Sequence, residues 1–295
     1  MTNASDDTGA GDTGAEPGAE PGADSGFRKP VKAYTNLDFL QSKDARQLRI
    51  LAEYLEPESR FQHHKIDDTI VFMGSARLKP RDVAEENLRR AEAGEGEIPL
   101  AKAKHDLWMS QHYENARELA RRLTEWSKEL DDTERRFVVC TGGGPGVMEA
   151  ANRGASEAKG MNVGLSITLP LEQHENPYVT RELGFEFHYF FMRKFWFTYL
   201  AKAVIFFPGG FGTLDELFEI LTLLQTRKVT KHMPIVLFGS DFWRETINFD
   251  ALVKYGTINE EDKQLFTITD DLEEAYEIVT RELSRYGLKE PGAHL

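Results

Sequence analysis

The chain has 295 residues, 40% of them hydrophobic, and a formal net charge of −13. That length holds one large α/β domain with additions, or two small domains. The acidic balance argues against a general nucleic-acid binder, because phosphate neutralisation dominates that affinity.

Cys140 is the only cysteine, which excludes an intrachain disulfide and a multi-cysteine metal site. A reduced, cytoplasmic location is the default expectation. Residues 1–26 contain no Lys or Arg, no large apolar residue beyond Met1, and six acidic residues. Such a segment cannot bury enough surface to offset its ordering entropy, so a disordered acidic tail is predicted. It lacks the basic start and apolar stretch of a signal peptide. Nothing downstream is apolar over the length a bilayer needs, so no membrane association is expected.

Residues 27–68 read as an N-terminal helical extension. Within them, "SKDARQLRILAEYLEP" (42–57) places Ala45, Leu48, Leu51, Ala52 and Leu55 at helical spacing, with Pro57 as a stop. An amphipathic helix packed on the main domain follows. "QHHK" (62–65) faintly resembles a pyridoxal-lysine signature, but it precedes the first strand.

From residue 69 a rhythm sets in. Apolar runs of strand length occur at 69–76, 137–144, 162–170, 185–190, 203–210 and 234–239, with a shorter one at 266–270. Segments of helical period lie between most of them, at 110–130, 146–159, 191–201 and 213–227, and at the end over 271–286. This alternation predicts an α/β fold over 69–286: a Rossmann-like, doubly wound, mostly parallel sheet flanked by helices. Residues 287–295 form a C-terminal tail. The charged, Ala-rich stretch 79–108 interrupts the rhythm as an inserted helical excursion, either a solvated surface extension or a lid.

Three of the predicted strands end in small, turn-forming residues: "GSAR" (74–77), "TGGGPGVME" (141–149) and "PGGFGTLDE" (208–216). A strand–glycine–helix junction exposes N–H groups at the positive end of a helix dipole, which suits a phosphate. Three on one sheet edge point to an anionic ligand held by Gly74, Ser75, Gly143, Gly144, Gly209 and Gly210. "GGGPG" lacks the Lys-Ser/Thr of a P-loop, and Val147 stands where a dinucleotide fingerprint needs Gly or Ala.

Thr213 and Glu216 are one helical turn apart. They are either a helix cap of the T-x-x-E kind or a cap with a carboxylate at the mouth of the site. Arg193 and Lys194 interrupt a very apolar helical segment, and a buried cation needs a partner. They either reach solvent or, for Arg193, face an anion. A carboxylate, a guanidinium and a phosphate-cradling backbone together suit glycosidic cleavage of a nucleotide. The carboxylate stabilises an oxocarbenium-like ribose and positions or deprotonates water, while the cradle holds the 5′-phosphate. No metal-ligand spacing competes, and no cofactor is expected.

"TGGGPGVMEAANRGA" (141–155), "MRK" (192–194) and "PGGFGTLDE" resemble the Lonely Guy family, whose hallmark is P-G-G-x-G-T-x-x-E with an upstream Arg-Lys pair. Many of its members carry an old "lysine decarboxylase" label. The resemblance covers roughly residues 69–280. It implies a Rossmann-like homodimer or larger assembly that hydrolyses nucleoside 5′-monophosphates, AMP or cytokinin nucleotides, to base and ribose 5-phosphate. It also implies Glu216 as the catalytic carboxylate and Arg193 as its partner. Lys194, Gly210, Phe211, Gly212, Thr213 and Thr222 would line the nucleotide site. An acidic residue upstream would be Glu175, with Glu172 as competitor. The tail, the first helix and the 79–108 insertion depart from compact members, as do Phe190 and Phe191 beside the arginine. The runner-up reading is a non-hydrolytic nucleotide or molybdenum-cofactor carrier on the same scaffold.

Overall fold

Seven apolar runs become seven strands of one sheet, paired in parallel throughout. The computed structural model describes residues 30–130, 134–168 and 176–292. The acidic tail, Glu172 and Glu175 lie outside the described residues. The chain divides into two units after Arg46. In the first, the short helix α1 (Leu37–Gln41) is capped by Asn36, whose side chain accepts the Phe39 N–H.

The second unit begins within α2 (Arg46–His63), which leads to β1 (Thr69–Met73), and α3 (Arg81–Glu92) and α4 (Leu100–Lys128) lead to β2 (Val138–Thr141). Then come α5 (Val147–Glu157), β3 (Asn162–Ile167), β4 (Gly184–Phe187), α6 (Phe190–Tyr199), β5 (Ala201–Phe206) and α7 (Phe211–Gln225). The chain continues through β6 (Ile235–Phe238), α8 (Ser240–Thr246), α9 (Phe249–Lys254), β7 (Thr267–Thr269) and α10 (Leu272–Arg285). Strand order is β4-β3-β2-β1-β5-β6-β7. β1, β2, β5 and β6 are buried at every residue. The edge strand β4 instead alternates exposed and buried. Central strands covered on both faces read as continuous apolar runs, and an edge strand does not. One face packs under α4, α5 and α10, with Tyr113, Leu119, Ala151 and Val279 fully buried. The other packs under α2, α6 and α7, with Trp196, Phe197 and Leu217 at its centre.

Two local readings need correcting. Pro57 does not stop α2, which runs on to His63. A proline leaves the carbonyl four residues earlier without its helical donor. Here that carbonyl, of Glu53, accepts the Trp196 indole N–H at 3.0 Å instead. The Glu53 carboxylate also accepts the His188 and Tyr189 N–H groups at the start of α6. These bonds turn Ile50, Tyr54, Pro57 and Phe61 inward, and leave the expected core residues Leu48, Leu51 and Leu55 exposed. The 79–108 stretch is helical, as its composition suggests, but its second half is the start of α4, where Ala103 and Asp106 are buried.

At the amino-terminal edge of the sheet, four charged side chains are buried: Asp68, Arg136, Lys202 and Lys231. Arg136 and Lys202 both pair with Asp68. Residues 287–292 run across them. Arg136 donates to Gly287 O (2.7 Å), Lys202 to Glu290 O (2.6 Å), and the Gly292 N–H to Asp68 Oδ1 (3.1 Å). Lys231 donates to the last carbonyls of α6, those of Thr198 and Tyr199. Burying charge is costly unless each group is paired, and here backbone and carboxylate share that task. Among the described residues, no helix is long and apolar enough to cross a membrane.

Candidate active site

The three glycine junctions leave the carboxyl ends of β2, β1 and β5, which are neighbours in the sheet. The chain passes from β1 to β2 on one side, while β5 lies on the other. The junctions therefore surround the reversal point where open α/β sheets bind ligands. Backbone bonds stitch them together: Phe207 N–H to Met73 O, Ser75 N–H to Pro208 O, and Val147 N–H to Ser75 O, at 2.9–3.0 Å. Gly146 has φ +72°, and a Cβ there would lie 2.2 Å from Ser75 O. Only glycine permits that approach.

α7 starts at Phe211 with Gly210 as its N-cap, and no side chain caps it. The capping reading of Thr213 is therefore replaced. Thr213 sits inside the first turn, buried against Gly209, where a Cβ would meet its Oγ1 at 2.2 Å. The N–H groups of Phe211, Gly212 and Thr213 have no acceptor within the helix. Gly210 and Gly212 have no neighbour within 4 Å of an added Cβ, so packing within the chain does not require their bareness. Their backbone faces the cavity, at the positive end of a helix dipole.

Glu216, one turn further, and Arg193 from α6 meet at this mouth. Their side chains retain only 12% and 13% exposure, with Arg193 Nη1 3.7 Å from Glu216 Oε1. Arg193 Nε donates to Leu165 O at 2.7 Å. Its Nη2 lies on Gly142, 2.6 Å from where a Cβ would sit. Burial pushes the Glu216 carboxyl up to about 7, against the pull of Arg193. A carboxyl poised near neutrality in a cleft is suited to proton transfer.

This has a stability consequence. The carboxyl titrates near 4.5 in the unfolded chain and near 7 in the fold. It therefore favours the folded state below pH 4.5, and that advantage is lost as pH rises through about 7. The differential is on the order of 3 kcal/mol, reduced when Arg193 loses its partner. Glu216→Gln is expected to melt several degrees above wild type at pH 8, with the gap closing at pH 5. Melting curves at the two pH values check it, and a gap independent of pH would refute it.

Ten of the residues singled out in the sequence line one cavity of about 1450 Å³: Glu216 and Arg193 with Gly74, Ser75, Gly143, Gly144 and Gly210 through Thr213. Not every junction amide faces a ligand. The Gly143 N–H is taken by Thr141 Oγ1, and that of Ser75 by Pro208 O. Gly209 serves packing. Lys194 and Thr222 are not brought to this cavity. Lys194 binds Asp215 and Glu219 on the outer side of α6 and α7, and Thr222 donates to Phe218 O, both beside a separate groove. Among the described residues, none of 79–108 lines the cavity, so the lid reading gains no contact there. Arg77, Ser166, Asn176, Arg181 and Glu186 line it without having been singled out. Arg77 stands in the "GSAR" turn, and Ser166 is the polar interruption of the β3 run; Asn176, Arg181 and Glu186 carry no local signal.

Residues 148–279 match the family described as possible lysine decarboxylase. No curated protein matches the chain. Three similar solved structures are the structural-genomics target TM1055 and two molybdenum-cofactor proteins. TM1055 is 21% identical, covering 72% of this chain and 99% of that one, with a TM-score of 0.43. The molybdenum cofactor binding protein of the phototrophic bacterium Rippkaea orientalis is 18% identical over 73% and 96%, TM-score 0.44. The Moco carrier protein of Chlamydomonas reinhardtii is 18% identical over 74% and 99%, TM-score 0.42.

Proposed function

Residues 148–279 form a domain of the Lonely Guy family, and on that premise we propose that the protein hydrolyses purine nucleoside 5′-monophosphates. AMP or a cytokinin riboside 5′-monophosphate would yield free base and ribose 5-phosphate. The observation that carries this reading is the largely enclosed Glu216–Arg193 pair beside the uncapped start of α7. The 5′-phosphate sits on the N–H groups of Phe211 to Thr213, with Arg193 supplying charge-assisted bonds. The C1′–N9 bond breaks with its electron pair leaving on the base, and positive charge grows on the ribose. Glu216 as carboxylate stabilises that charge and takes a proton from the attacking water, whose oxygen bonds to C1′. The departing base gains a proton.

A pyridoxal-dependent decarboxylation does not fit these residues. It needs a lysine in the site, and none of the described cavity residues is one. Lys65 pairs with Glu134, Lys194 with two carboxylates, and Lys202 and Lys231 lie at the opposite sheet edge. Incubation with a panel of nucleoside monophosphates, with free base followed by chromatography, tests the proposal. Base release from AMP or an N6-substituted AMP is expected. Tight binding of AMP with no base released from any monophosphate would favour the carrier reading instead.

We also propose a homodimer. α2 covers Phe195 and Trp196 of the aromatic helix α6. Phe190 and Phe191 remain half exposed, and Phe211 and Phe218 on α7 are exposed beside the Lys194 groove. Apolar surface of that extent is commonly covered by another chain. Light scattering at micromolar concentration should give about twice the 33.5 kDa chain mass, or a larger multiple. A fully active monomer would refute it.

A further inference from the structure

The turn Gly142–Gly144 lies under Arg193 and is nearly bare of side chains, so something outside it must fix its shape. Asn152, in the second turn of α5, has no exposed surface. All four hydrogen-bonding positions of its amide are used. Its Oδ1 accepts from Thr141 Oγ1 (2.6 Å) and from Asn176 Nδ2 (2.9 Å). Its Nδ2 donates to Asn162 Oδ1 (2.9 Å) and Val163 O (3.2 Å). Thr141 Oγ1 accepts the Gly143 N–H (2.9 Å), and Asn176 Nδ2 reaches Gly144 O (3.3 Å). A ring of bonds thus runs from Gly143 through Thr141, Asn152 and Asn176 back to Gly144. Asn176 begins the segment whose Pro177 and Val179 wall the cavity.

We propose that Asn152 is a positioning residue: through Thr141 and Asn176 it fixes the glycine turn and the facing wall, and so sets how tightly the sugar-phosphate end is held. The inference rests on the nucleotide reading for its ligand. Asn152 itself touches neither the ligand nor the reacting bond. A turn left to find its shape on binding charges its ordering to affinity, not to the chemical step.

Thr141→Val keeps the side chain's shape and removes the hydroxyl, while Thr141→Ser keeps the hydroxyl. Thr141→Val is expected to raise KM for AMP and Ki for ribose 5-phosphate roughly tenfold, with kcat within about threefold. Thr141→Ser should behave as wild type. Asn152→Ala should follow Thr141→Val. Because it strands several buried polar groups and can fail to fold, Asn176→Ala at the cavity rim provides a second route to the same KM effect. A fall in kcat at unchanged KM, or equal impairment in Thr141→Ser and Thr141→Val, overturns the proposal. Amide exchange decides the point even if AMP is not a substrate. Residues 142–146 and 176–180 should exchange at least about tenfold faster in Thr141→Val than in Thr141→Ser. Unchanged exchange there overturns the positioning role, whereas failure to release base from any monophosphate overturns only the nucleosidase reading.

Discussion

Glu216→Gln is expected to lower base release from AMP at least about a hundredfold, the usual scale for losing a catalytic carboxylate, and to leave the fold intact. Glutamine has the same shape and fits a site where burial already disfavours charge. It can neither take a proton from water nor offset positive charge on the ribose. The proposed mechanism needs Glu216 ionised, so wild-type kcat/KM should rise with pH through about 7. The residual activity of Glu216→Gln should lack that limb. Steady-state rates from pH 5.5 to 8.5 check both. Near-wild-type turnover in the variant would remove Glu216 from the mechanism.

Adenosine should be a far poorer substrate than AMP, by roughly a thousandfold in kcat/KM. Two charge-assisted hydrogen bonds contribute about 1.5–3 kcal/mol each, and about 4 kcal/mol corresponds to that factor. The proposed donors are the open first turn of α7 and the Arg193 guanidinium. In the proposed mechanism, binding energy at the phosphate would hold C1′ in register with Glu216, so the loss should reach kcat as well as KM. Ribose 5-phosphate should inhibit. Equal rates on adenosine and AMP would reject a phosphate cradle at this helix start.

Much of this was readable from the chain because the signals are local. Strands buried on both faces announce themselves as unbroken apolar runs, and all seven were legible. Glu216 and Arg193 stood out because each is a charge placed beside glycines or aromatics. What failed depended on direction around a helix, or on partners distant in sequence. Thr222 lies six residues beyond Glu216, which at 100° per residue turns it well away from the cavity. Lys194, one residue past Arg193, is likewise rotated onto the outer face. Pro57 looked like a terminator because nothing nearby shows that Trp196 takes up the orphaned Glu53 carbonyl. Asn176 lines the cavity and is held there by Asn152, 24 residues earlier, a pairing no local pattern shows.

The buried charges at the amino-terminal edge also set an order of events during synthesis. Asp68, Arg136 and Lys202 belong to β1, β2 and β5 or the residues just before them, all made before α7. The carbonyls and the amide that complete their hydrogen bonding come from residues 287–292. A nascent chain cannot complete this edge until residues 287–292 have emerged, however early the central strands are made. The bond from Gly292 to Asp68 spans 224 residues, and contacts of such long range slow folding.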